Sequence, residues 1–112
     1  MDYKQLRQLQ WLPKEIEQIS RRLEKLPDTP ENQGERETGL LHLAQCRKEY
    51  AAGMAYLEAV PDSYTRQLLF FRYRDGLTYR QITARVRGTT PDAIRQQCLR
   101  FIRKHPDLPE KA

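Results

Sequence analysis

Residues 61–104 read PDSYTRQLLFFRYRDGLTYRQITARVRGTTPDAIRQQCLRFIRK, and the punctuation of this stretch divides it into three short helices. Pro61-Asp62 opens the first, with Asp62 or Ser63 as its N-cap, and it runs to about Arg74. Asp75-Gly76 ends it, because glycine adopts the left-handed turn at little steric cost. Thr78 caps a second helix, Tyr79 to about Val86. Arg87-Gly88-Thr89 forms a tight turn. Thr90-Pro91-Asp92 then supplies a hydroxyl cap, a proline at the first helical position and an acid in the first turn, which together make a strong helix start. This third helix runs to about Lys104. His105-Pro106-Asp107-Leu108-Pro109 stops it, and residues 105–112 read as a tail.

A short helix, a glycine-containing turn and a longer capped helix form a helix-turn-helix pattern. At 100° per residue, Ile94, Cys98 and Phe101 share one face of the last helix, flanked by Gln97 and Ile102. The opposite face carries Asp92, Arg95, Gln96, Arg100 and Arg103, with Leu99 among them. Arginine can donate two hydrogen bonds to guanine, and glutamine can pair with adenine, in the major groove of double-stranded DNA. Arg95, Gln96 and Asp92 are therefore the expected base-reading or base-orienting residues. Thr78, Arg80, Arg87, Thr90, Arg100 and Arg103 are expected to hold phosphates. The charge distribution agrees: residues 61–104 hold ten Lys+Arg against three Asp+Glu, whereas residues 1–60 hold nine against ten.

Outward from this stretch, the N-terminal half reads as two helices. Leu9, Leu12, Ile16, Ile19, Leu23 and Leu26 alternate spacings of three and four, an a/d pattern held for nearly three heptads. Pro13 interrupts it, so either a helix starts there or a helix from about Tyr3 kinks there, with Trp11 and Leu12 packing just before the break. Residues 26–34, LPDTPENQG, form a loop. A second helix follows from about Glu35 to Val60, its face marked by Leu40, Leu43, Tyr50, Leu57 and Val60, with small residues (Ala51, Ala52, Gly53, Ala55) that permit close approach. The expected fold is all-α: an antiparallel helical hairpin over 1–60, then a three-helix helix-turn-helix domain over 61–104, five helices in total. The six-residue seam and the long apolar face of the second helix exceed what a two-helix hairpin can cover, and are expected to pack on the C-terminal module, on a second copy in a homodimer, or on both. Phe70 belongs to a helix that is apolar nearly all round, and is expected either to pack against the chain's own hairpin or to form a docking surface for a partner or a second subunit.

The stretch VPDSYTRQLLFFRYRDGLTYRQITARVRGTTPDAIRQQCLRFIRK resembles region 4 of sigma-70-type transcription initiation factors. The features that carry the resemblance are the Pro-Asp opening, LLFFRY at the end of the first helix, DGLTYRQI, and IRQ in the last helix. The whole layout is similar to small phage and prophage regulators of Gram-positive bacteria, such as the ArpU- and RinA-type activators of late genes. The resemblance implies that the last helix enters the major groove of a promoter element, with Asp92, Arg95 and Gln96 at matching positions and Thr78 near the DNA backbone. It also implies RNA polymerase as a possible partner. Pro91 and Ala93 stand where family members often carry arginine, which implies a different base preference. The turn at Arg87-Gly88-Thr89 is one residue longer than usual, and Phe70 occupies a position commonly polar. The chain has no room for the domain that melts start-site DNA, so a self-sufficient sigma factor is not expected.

Other chemistries find little support. No apolar run approaches the roughly 18 residues of a membrane span, and MDYKQLRQLQ has no signal-peptide core, so the bacterial host's cytoplasm is the expected location. Cys46 and Cys98 lie on apolar helix faces and read as buried small residues. His42 and His105 lie on different modules, each read as lacking a Cys or His partner at ligand spacing, so no metal or cofactor is expected. No phosphate loop, nucleophile motif or carboxylate pair points to an enzyme. Two other classes stay open: an adaptor docking on RNA polymerase or a sigma factor with little DNA contact, and a small phage DNA-packaging subunit.

Overall fold

Proline, glycine and hydroxyl caps set the boundaries of the helices. In the computed structural model, which describes residues 3–107, these are α1 (Tyr3–Gln8), α2 (Leu12–Lys25), α3 (Gln33–Glu58), α4 (Ser63–Leu69), α5 (Tyr79–Val86) and α6 (Pro91–Lys104). A 3-10 turn, Pro30–Asn32, precedes α3, and a π-helical segment, Phe70–Arg74, continues α4. The fold is all-α, with no strand among the described residues. Nor is any helix among them long and apolar enough to cross a membrane.

The first expected helix is two. Pro13 has no N–H to offer the carbonyl of Leu9, so the chain tightens through bonds from Leu9 N to Leu6 O (3.1 Å), Trp11 N to Gln8 O (3.0 Å) and Leu12 N to Leu9 O (3.4 Å). The α2 helix then starts one residue before the proline. Leu12 is buried as expected, but Trp11 stays 62% exposed. The loop after α2 is ordered by Asn32, whose Nδ2 donates to Thr29 Oγ1 (2.9 Å) and Pro27 O (3.1 Å).

The α2 and α3 helices pack antiparallel, so early residues of one meet late residues of the other. Leu9, in the turn before α2, lies against Gly53, and Leu23 lies against Gly39. The face of α3 turned to this contact runs Gly39, Leu43, Cys46, Tyr50, Gly53 and Leu57, a heptad rhythm that includes two glycines and that Val60, just past the helix, continues. Leu40, expected on that face, is exposed instead, together with Leu41, because the seam passes through Gly39 one residue earlier. The seam residues are used within the chain. Leu9, Leu12 and Ile19 are buried, while Ile16 and Leu23 pack half-buried against the same core. Leu26, at the C-cap of α2, is also half-buried. These buried leucines and Ile19 face the chain's own helices and offer no surface to a second copy.

Both halves share one core. It includes Leu6 of α1, Tyr56 and Leu57 of α3, Leu68 and Leu69 of α4, Ile82 of α5, and Ile94, Cys98 and Ile102 of α6. The α1 helix docks on the π segment, with Tyr3 edge-on to Tyr73 at 6.2 Å between ring centroids. Buried Tyr56 donates from its hydroxyl to the carbonyl of His105, just past α6, at 2.7 Å. A boundary at residue 60 marks a turn in the chain, and packing continues across it.

Candidate nucleic-acid interface

Two side-chain caps set the starts of the last two helices. Thr78 forms a capping box on α5: its Oγ1 accepts from Gln81 N (3.1 Å), and its own N donates to Gln81 Oε1 (2.8 Å). Thr90 Oγ1 accepts from Ala93 N (3.1 Å) and starts α6, with Pro91 at its first position. Between the caps, Arg87 and Gly88 both take positive φ, 55° and 72°. For arginine this conformation is strained by about 1–3 kcal/mol, and Arg87 is exposed.

The two faces of α6 divide as the 100° spacing predicts. Ile94, Cys98 and Ile102 are buried, and Gln97, Leu99 and Phe101 are half-buried. Asp92, Arg95, Gln96, Arg100 and Arg103 are exposed. Gln96 Nε2 donates to Asp92 Oδ2 at 3.3 Å, so the acid orients the amide. Burial pushes the Cys98 thiol up to about 12, which leaves it a neutral, inert filler under the helix.

The inner side of α6 is anchored to α4 by a polar chain that sequence reading missed. Asp62 caps α4, its Oδ2 accepting from Thr65 N (2.9 Å) and from Thr65 Oγ1 (2.7 Å). Gln97 Nε2 donates in turn to Thr65 Oγ1 at 3.0 Å. The side-chain and backbone bonds from Thr65 hold the Asp62 carboxyl below its ordinary value. The π segment braces α5. Asp75 N donates to Phe70 O (3.0 Å), Leu77 N to Phe71 O (3.0 Å) and Arg72 Nη1 to Leu77 O (3.0 Å), while the Arg72 guanidinium lies 4.1 Å from the Tyr79 ring centre.

These contacts sort the nine arginines of residues 61–104. Arg66 donates to Val60 O, Arg74 pairs with Asp75, and Arg72 and Arg85 lie over Tyr79 and Phe71. Arg80, Arg87, Arg95, Arg100 and Arg103 are exposed, and none is in an ion pair or side-chain hydrogen bond among the described residues. Phe70 is half-buried on the chain's own core, with the Arg74 guanidinium 4.6 Å from its ring centre.

One cluster lies outside this interface and corrects the reading of the histidines. His42 and Cys46 are four residues apart on α3, so they share a face one turn apart. Glu15 of α2 faces them, with its Oε2 3.0 Å from His42 Nε2. One ligand atom from each of the three lies within 4.8 Å of the others. The His-x3-Cys spacing was visible in the sequence. The carboxylate was not, because only the antiparallel register brings α2 to it.

Compared with known proteins, the chain matches no family model, no curated protein and no solved structure.

Proposed function

We propose that the chain is a sequence-specific DNA-binding transcriptional regulator, of the phage or prophage type that its resemblance to sigma region 4 implies, acting in the bacterial cytoplasm. The observation that carries this reading is the outer face of α6. Arg95, Gln96, Arg100 and Arg103 stand there in the open without ionic partners, while four other arginines of the same half are engaged in structure. Arginine and glutamine near the start of a recognition helix reach base edges, and later arginines reach phosphates. Thr78, Arg80, Arg87 and Thr90 flank that helix on the elements before it and serve the backbone. The protein acts as a homodimer in this reading. Its contact surface is the distal part of α3, where Leu40 and Leu41 are exposed as neighbours.

The test is a random-oligonucleotide binding selection on the purified protein at about 150 mM salt, close to physiological ionic strength. An enriched motif is expected. A palindromic motif supports the dimer and gives its half-site spacing. Binding without enrichment overturns sequence-specific recognition and favours an RNA polymerase adaptor or a DNA-packaging subunit.

A further inference from the structure

Midway along the hairpin, far in function from the helix-turn-helix, Glu15, His42 and Cys46 bring a carboxylate, an imidazole and a thiol together across two helices. We propose that these three side chains form a binding site for a zinc-class divalent ion that cross-links α2 to α3. Thiolate sulfur, imidazole nitrogen and a carboxylate oxygen are the donor set that tetrahedral zinc takes, and three protein ligands leave the fourth position to water. A thiolate and a carboxylate also balance the ion's two positive charges, with the imidazole neutral.

The geometry needs only a small closure. Zinc bonds of roughly 2.0–2.3 Å in a tetrahedron place ligand atoms about 3.3–3.7 Å apart. His42 Nε2 and Glu15 Oε2 are already 3.0 Å apart, and all three ligand atoms lie within 4.8 Å of one another. An ion therefore has to part the first pair slightly and draw the thiol in by about 1 Å, within reach of ordinary side-chain rotation. The His42 and Glu15 side chains are 52% and 43% exposed, so both can adjust. Cys46 is 4% exposed and fixed in the hairpin seam, which gives the site a rigid floor. Gln8, Trp11, Gln45 and Glu49 border the groove above it and provide an entry path from solvent. Burial and the Glu15 carboxylate hold the Cys46 thiol protonated without metal; on binding, the ion replaces that proton, which goes to solvent.

The chain carries its own reporter, because Trp11 is its one tryptophan and borders the groove. The experiment is a titration of the reduced full chain with Co2+ alone, followed by Zn2+ competition. Expected are one equivalent bound, a thiolate-to-cobalt charge-transfer band, intense tetrahedral visible bands, quenching of Trp11 fluorescence, and reversal of all of these by zinc. Saturating zinc should also raise Tm, since the ion binds the folded hairpin in preference to the unfolded chain. His42→Gln and Glu15→Gln should each weaken cobalt binding by at least about tenfold, the lower range for losing even an outer partner of a metal site. Cys46→Ala should abolish the charge-transfer band. Because that buried substitution can unfold the seam, the two exposed-side variants, with unchanged helical circular dichroism, decide the matter independently. A weak octahedral spectrum without the charge-transfer band overturns the proposal. So does a band that survives Cys46→Ala, or an affinity indifferent to both His42→Gln and Glu15→Gln.

Discussion

Arg95 and Arg103 lie about two turns apart on the same exposed face of α6, and position decides what each can do. Arg95 stands near the helix start, beside the oriented Gln96. Arg95→Ala should cost about 1–3 kcal/mol in binding and blur preference at one base position, whereas Arg103→Ala should weaken all sequences alike. Competition binding against single-substituted operators separates the two effects. Identical loss for both variants would remove base reading from Arg95. A second residue-scale prediction concerns Asp62. Its carboxyl is held below the ordinary value of 3.8, first by the Thr65 hydroxyl and then by the Thr65 backbone N–H. A depressed folded-state value means that the stabilisation is present above the ordinary value and is lost as pH falls through the folded value. Asp62→Asn should therefore lower stability at neutral pH and flatten the decline of Tm below about pH 4, where unfolded-state aspartates protonate. At this scale the sequence showed which residues of α6 face outward, because one helix sets that periodicity. It could not show the Gln97–Thr65–Asp62 chain or the approach of Glu15 to His42, since each joins residues of two helices.

Glycine separates two kinds of position in α3. Gly34, in the first turn, has nothing within 4 Å of where a Cβ would sit, and its backbone is helical. Gly34→Ala should raise stability by about 0.5–1 kcal/mol through helix propensity. Gly53 lies in the seam, where a Cβ would come within 2.6 Å of Leu9 Cδ1, and Leu9 is fully packed. Gly53→Ala should destabilise, because overpacking of about 1–3 kcal/mol exceeds the propensity gain. Urea midpoints at unchanged m-value measure both. Stabilisation of equal size in the two variants would contradict the seam. The helices themselves were largely legible: Thr78, Thr90-Pro91 and Asp62 announce their starts by local chemistry. Two features were not. The seam of α3 passes through Gly39, which carries no apolar side chain to mark it, although Gly53 was legible among the small residues that permit close approach. The π-helical widening at Phe70–Arg74, whose Tyr73 is buried against Tyr3 of α1, is marked by no local residue pattern.

The whole molecule measures 59 × 32 × 18 Å, with a radius of gyration of 17.6 Å against about 13 Å for a compact domain of 100 residues. The antiparallel hairpin accounts for much of that length, since 26 residues of α3 span about 39 Å at the helical rise. Net positive charge is concentrated in the C-terminal half, where residues 61–104 hold ten Lys+Arg against three Asp+Glu. If about five of Arg80, Arg87, Arg95, Arg100, Arg103 and Lys104 neutralise phosphates, log affinity should fall against log salt with a slope of roughly −4 to −5. Fluorescence anisotropy across a salt series measures it, and a flat response would contradict DNA binding. The division of charge between the halves was legible from composition, but their shared core was not. A turn signal at Val60-Pro61-Asp62 looks the same whether packing stops there or continues.

That shared core sets an order of events during synthesis. Tyr3 leaves the ribosome seventy residues ahead of Tyr73, the ring it meets, and Tyr56 precedes by 49 residues the carbonyl that its hydroxyl bonds. The hairpin can begin to pair as soon as α3 emerges. Tyr3 and Tyr56 must wait for these partners until the later helices follow. The growing chain is therefore most exposed to aggregation and to chaperones over that interval, and slowing translation through codons 60–100 would lengthen it.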